Sequence, residues 1–198
     1  MPIRSASAPQ TKLRELAARY SAAQRRTIEV ALDLFSRHGV GGTSLQMIAD
    51  VLGVTKAAVY HQFQTKDAIV LAVVEVQLEP VEAILEHAES LPAGNRTREH
   101  LLGALVDFVV TNRRSLSTLQ SDPVLFRLLS EYPPSLQLWN RVFELLLGGQ
   151  TGDAALVRSA VLSAAVGTVA YPLVINLDND VLRNELYRAM HTLLFSRK

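Results

Sequence analysis

From Ser21 almost to the C-terminus, apolar residues recur three and four positions apart, and the period-two alternation of a half-buried strand is nearly absent. A repeat of this kind gives each segment one apolar stripe at helical spacing, so it predicts an all-α fold. The chain has 198 residues, 48% of them apolar, enough for one substantial domain or for a small one joined to a medium one.

Breakers divide the repeat into segments. Ser21 caps a helix over residues 21–38, with Ile28, Ala31, Leu32, Leu34 and Phe35 as its stripe and Gly39 and Gly41-Gly42 at its end. Short helices follow over 45–52, capped by Ser44 or Thr43, and from Thr55 to near Phe63. A long helix over 67–89 contains Pro80, where a kink or break is expected. Further helices are predicted over 98–114, over 122–132 with the cap Asp122-Pro123, and over 135–147 with Ser135 as a new cap. The last two, over 153–175 and 180–196, are joined by a short linker and should be antiparallel neighbours. Residues 1–20 read as a flexible basic arm, in which 12–20 have the makings of a helical turn or two.

Charge is uneven. Residues 1–66 hold nine Lys/Arg and four acids, a local net charge of +5 inside a chain whose total is +1. A basic first third on an acidic body suggests that only the first third meets a polyanion.

The stretch 44–63, SLQMIADVLGVTKAAVYHQF, has the residue types a helix-turn-helix needs. Ala49 is small where two helices approach, and Gly53 accepts the positive φ of the turn. Ile48, Leu52, Val54, Val59 and Phe63 supply an inward seam. With Val59 and Phe63 inward, the second helix presents Lys56, Ala57, Tyr60 and His61 outward. Lys56 suits guanine or phosphate, Ala57 a thymine methyl, and Tyr60 and His61 phosphate. Lys66 would meet the DNA backbone as a point charge. The expected division is 1–20 arm, 21–66 helix-turn-helix DNA-binding domain and 67–198 ligand-binding and dimerisation domain.

These residues resemble the TetR family of repressors. The likeness lies in residues 26–39 (RTIEVALDLFSRHG), then Thr43-Ser44-x-x-x-Ile48-Ala49, Leu52-Gly53-Val54-Thr55 and Val59-Tyr60-x-x-Phe63-x-x-Lys66. It covers residues 21–71, and the rest agrees only in length and helix count. The resemblance implies a homodimer on a palindromic double-stranded operator, joined through the last two helices. It also implies DNA contacts at Ser44, Thr55, Lys56, Tyr60, His61 and Lys66. The chain departs from the family at Gln62, where a His is usual, with His61 one place earlier.

The predicted helix over 153–175 is rich in small residues and apolar all round, so it needs cover on both sides. Two hairpins of the last helices around a two-fold axis would make a four-helix bundle. Helices over 67–147 should surround a cavity for a small, mainly apolar effector of unknown identity, since inward-looking charge is scarce. Its candidate lining is His100, Phe108, Asn112, Phe126, Trp139 and Phe143, with Tyr132 and Gln137 also considered. Effector binding would move the helix beginning at Asp67 and spoil the spacing of two recognition helices, about 34–36 Å on DNA.

Enzymatic chemistry finds no support. None of the five histidines has Glu three residues before it, and there is no His-Glu-x-x-His, no G-x-S-x-G elbow and no phosphate loop. The absence of cysteine excludes disulfides and thiolate metal sites. No metal or cofactor is expected. Without a membrane span or an apolar signal core, the chain is expected in the cytoplasm. The alternative reading is a ligand-sensing or carrier protein that lacks specific DNA binding.

Overall fold

The structure is a computed structural model that describes residues 13–113, 116, 122–171, 173–174 and 176–195. Among the described residues it is all-helical: α1 (Leu13–Ala18), α2 (Ala22–Gly42), α3 (Leu45–Leu52), α4 (Lys56–Gln62), α5 (Lys66–Glu89), α6 (Asn95–Thr111), α7 (Pro123–Glu131), α8 (Pro133–Leu147), α9 (Asp153–Gly167) and α10 (Asn179–Phe195).

Local chemistry sets the starts and stops. Ser21 and Gln24 form a reciprocal capping box at the head of α2. Ser44, Thr55 and Thr65 each accept the amide three residues on, and so cap α3, α4 and α5. Gly39 turns α2 at φ 72° and ψ 165°, values that favour glycine. After α9 a single 3-10 turn, Thr168–Ala170, brings the chain to Tyr171 at φ −69° and ψ 135°. That extended conformation is what a residue before proline requires, so the helix expected over 153–175 stops early.

Other features also depart from expectation. The arm expected over 1–20 includes α1, which packs on α5 with Ala17 completely buried; residues 1–12 lie outside the described set. Its anchor, Glu75, lies too far along the chain to show as local periodicity. Ser135 is not a cap: α8 begins at Pro133, and the buried Ser135 hydroxyl serves the carbonyls of Leu129 and Tyr132. Helix α5 runs unbroken past Pro80, whose ring is on the exposed side.

Two apolar clusters fill the fold. One joins α2, α3 and α4 to the first half of α5 and takes Leu125 from α7. The other gathers the second half of α5 with α6, α8, α9 and α10. Helix α5 therefore belongs to both, and the division expected after residue 66 falls at its first residue rather than in a linker.

Candidate nucleic-acid interface and internal cavity

Helices α3 and α4 meet at Ala49 and Gly53. Ala49 is fully buried, and Gly53 adopts the left-handed conformation at φ 67° and ψ 33°, where its backbone ends α3. The Val54 amide then donates to the Ala49 carbonyl at 3.0 Å. Ile48 and Val59 are sealed from solvent and Phe63 is buried, as the seam requires. Leu52 is half-buried, but Val54 is 43% exposed. The seam closes without Val54 because the reversal at Gly53 carries the following residue outward.

The outward face of α4 follows from this turn. Lys56, Ala57, Tyr60 and His61 are all exposed, and Ser44 and Thr55 stand exposed at the heads of α3 and α4. Each of these two hydroxyls accepts a backbone amide and keeps its own proton for a phosphate oxygen. Gln62 points the other way. Its side-chain oxygen accepts from the Thr27 hydroxyl at 2.8 Å, and its carbonyl accepts from Gln24. The departure at this position is thus an internal brace between α4 and α2.

Lys66 is not a free point charge. Its ammonium donates to the carbonyls of Val40 at 2.8 Å and Thr43 at 3.2 Å, at the negative end of α2. Other basic groups counted toward the local excess are also engaged. Arg25 donates to the Ala17 carbonyl, Arg37 pairs with Asp33, and Arg19 reaches the buried Glu75 at 3.4 Å. These partners lie across turns or on other helices, so spacing alone did not reveal most of them.

Behind this unit lies a cavity of about 410 Å³. Its walls come from α5 (Val73, Val74, Gln77, Leu78, Val81), α6 (Leu105, Val106, Phe108, Val109), α7 (Leu125, Leu129) and α8 (Leu136, Trp139, Val142, Phe143, Leu146). Leu116 and residues of α9 and α10, among them Leu162, Ser163, Val166, Leu186 and Met190, complete it. Among the described residues no charged side chain lines it; Gln77 and Ser163 bring polar groups to an otherwise apolar wall.

Of the lining predicted from sequence, Phe108, Trp139 and Phe143 are brought together here, the last two with rings stacked at 6.1 Å. His100 is not: it is exposed and meets His87 edge-on at 5.2 Å. Asn112 turns back onto the Phe108 carbonyl at the end of α6, Gln137 is exposed, and the side chain of Phe126 lies outside the described set. Sequence reasoning missed Gln77 and the α5 valines; the unbroken apolar run Ile69–Val74 was the signal for Val73 and Val74.

Inward charge exists, away from the described cavity wall. Glu75 and Glu82 of α5 are both 2% exposed. Glu82 pairs with Arg141 at 3.5 Å, and Glu75 accepts the hydroxyls of Tyr20 and Tyr132. Burial and the bond to Glu75 push the Tyr20 phenol up to about 12 and raise the Tyr132 phenol too. Among the described residues, no group of three or more His, Asp or Glu is placed to hold a metal, and no helix is long and apolar enough to cross a membrane.

Helix α9 leaves Leu156, Val157 and Val161 between 47% and 70% exposed. The neighbouring α10 adds Val181, Arg188, Ala189 and Thr192 to the solvent side.

Residues 28–73 match the family described as bacterial regulatory proteins, tetR family. The HTH-type transcriptional regulator RutR of Escherichia coli K12 is 35% identical over 77 residues, 37% of this chain and 36% of that protein. The HTH-type transcriptional regulator AcrR of Shigella flexneri is 34% identical over 96 residues, 47% of this chain and 45% of that protein. The chain thus spans less than half the length of these curated relatives. Among solved structures, NalD, the secondary repressor of the MexAB-OprM multidrug efflux pump in Pseudomonas aeruginosa, shares the fold. Its TM-score is 0.67 at 23% identity, covering 86% of this chain and 96% of that one. A TetR-like transcriptional regulator from Rhodococcus sp. RHA1 scores 0.65 at 21% identity, covering 90% of this chain and 99% of that one.

Proposed function

We propose that this chain, a TetR-family protein by its helix-turn-helix unit and its fold, is a DNA-binding transcriptional repressor released by a small uncharged apolar effector. The observation that carries this reading is the outward face of α4. Gly53, Ala49 and Val59 fix the helix so that Lys56, Ala57, Tyr60 and His61 stand free together. Such a face suits the major groove, where the first turn of the recognition helix approaches base edges. Ser44 and Thr55 would hold phosphates at the helix heads. Lys66 acts differently from the sequence expectation, shaping the unit by clamping α2.

The working form is a homodimer in the cytoplasm. The exposed Leu156, Val157 and Val161 of α9 form an apolar strip beside α10, and pairing two such faces would bury them. Two recognition helices on a palindromic operator would supply specificity that one short helix lacks. The cavity is the effector site, and its described wall, free of charged side chains, favours neutral ligands. The names of RutR, AcrR and NalD as regulators support the same reading.

Selection of bound duplexes from a random DNA pool tests it. Recovery of a palindromic consensus is the expected result. Lys56→Ala should then weaken binding and reduce the slope of log affinity against log salt by about 1. Recovery of no preferred sequence, together with tight binding of an apolar probe, would instead support the ligand-carrier reading.

A further inference from the structure

We propose that Asp122 is the positioning residue that passes the state of the cavity to the helix-turn-helix. The inference rests on the reading of that cavity as a ligand site. Helix α7 is anchored at both ends to the DNA-side unit. At its head, one Asp122 oxygen accepts the amides of Val124 and Leu125 at 2.9 and 3.3 Å. The other accepts the amide of Val40, 82 positions away, at 2.6 Å. Beyond its tail, Tyr132 donates to Glu75, the carboxylate that also accepts from Tyr20. Between the two anchors, Leu125 and Leu129 form part of the cavity wall.

Val40 is where the link enters the DNA-side unit. It is completely buried and directly follows Gly39, whose φ is 72°. The fit is close, since a Cβ on Gly39 would lie 3.2 Å from Asp122 Oδ2. The Val40 carbonyl accepts from Lys66, the first residue of α5. Its amide is therefore held from α7 and its carbonyl from α5, and both helices line the cavity. The turn so gripped leads within a few residues to Ser44, the cap of α3. A ligand pressing on Leu125 and Leu129 displaces α7, and the carboxylate carries that displacement to the turn that aims α3 and α4. A charged hydrogen bond suits the task because it is short, directional and stronger than a neutral one.

Amide exchange on the full chain tests this, with the uncharged fluorophore phenylnaphthylamine as probe. Asp122→Ser keeps a capping oxygen for α7 but is too short to reach Val40. In the wild type, saturating probe should raise exchange over residues 40–43 by roughly five-fold or more, the lower range of measured couplings. In the variant, the same occupancy should leave exchange there unchanged within about two-fold while the probe Kd stays the same. Equal responses in the two proteins, or none in the saturated wild type, would overturn the proposal. Leu129→Trp supplies a ligand-free arm by pushing an indole into the cavity from α7. Its effect on residues 40–43 should vanish beside Asp122→Ser, and an undiminished effect overturns the proposal. A chain that does not bind the probe at all but gives the tryptophan result counts against the effector reading and supports the latch. Should Asp122→Ser misfold, Asp122→Asn offers one acceptor oxygen to three amides and should lose the same response; a full response in it would overturn the latch.

Discussion

Around the recognition helix, Ile48, Ala49 and Val59 are sealed from solvent and Phe35 nearly so, whereas in the body α5, α6, α7 and α8 line a cavity of about 410 Å³. The two regions use similar apolar residues to different ends. A filled core has one low-energy arrangement, and it fixes the tilt of α4 against α2 and α3. A core built around a cavity forgoes contacts along its walls, which leaves α5 and α7 less firmly held there. Close and open packing are thus divided along the length of α5.

That contrast is open to direct attack. The largest effect is expected from Phe35→Ala in the filled region. It should lower unfolding free energy by about 3–5 kcal/mol in denaturant titrations, and a much smaller loss would mean the core is looser than described. Next comes the seam between the regions. Tyr20→Phe should cost about 1–3 kcal/mol, because it removes a hydrogen bond to the buried Glu75. The same phenol gives a pH signature. Its ordinary value is 10.0, and the fold raises it to about 12. Its stabilisation is therefore whole below pH 10.0 and lost as pH rises toward about 12, where the unfolded chain gives up the proton first. Tyr20→Phe should flatten that alkaline decline, read by chemical unfolding at successive pH values.

Smaller still is Gly53→Ala. Among the described residues, no atom beyond its own chain neighbours lies within 4 Å of the added carbon, so the cost is that of the left-handed backbone alone, about 1 kcal/mol by thermal melting. Smallest is Val106→Phe in the hollow region. The larger ring should enter the space and change stability by no more than about 1 kcal/mol, in the favourable direction, while displacing an apolar probe. A loss like that of Phe35→Ala would show the space to be too rigid to accept a guest.

The recognition unit was legible because its determinants are local. Only glycine takes the Gly53 conformation freely, and Ser44 and Thr55 cap helices that begin one residue later. The body was legible in outline only. Periodicity identifies an apolar stripe, but it does not say which of several neighbours a stripe will face. That is why Phe108 reaches the cavity while His100 and Asn112, assigned with it, sit elsewhere. The roles of Lys66, Asp122 and α1 were hidden for a related reason. Each depends on a partner 26 or more positions away, brought close only by the finished packing.

The shared helix also limits how such a protein can diversify. Val73 and Val74 belong to the core beneath the recognition helix and at the same time to the cavity wall, so altering them retunes both at once. Phe143, Leu186 and Met190 have no such double duty. If the proposed function holds, descendants that acquire a new chemical taste should vary at those three positions and keep the paired valines, inheriting an unaltered grip on their target while their menu drifts.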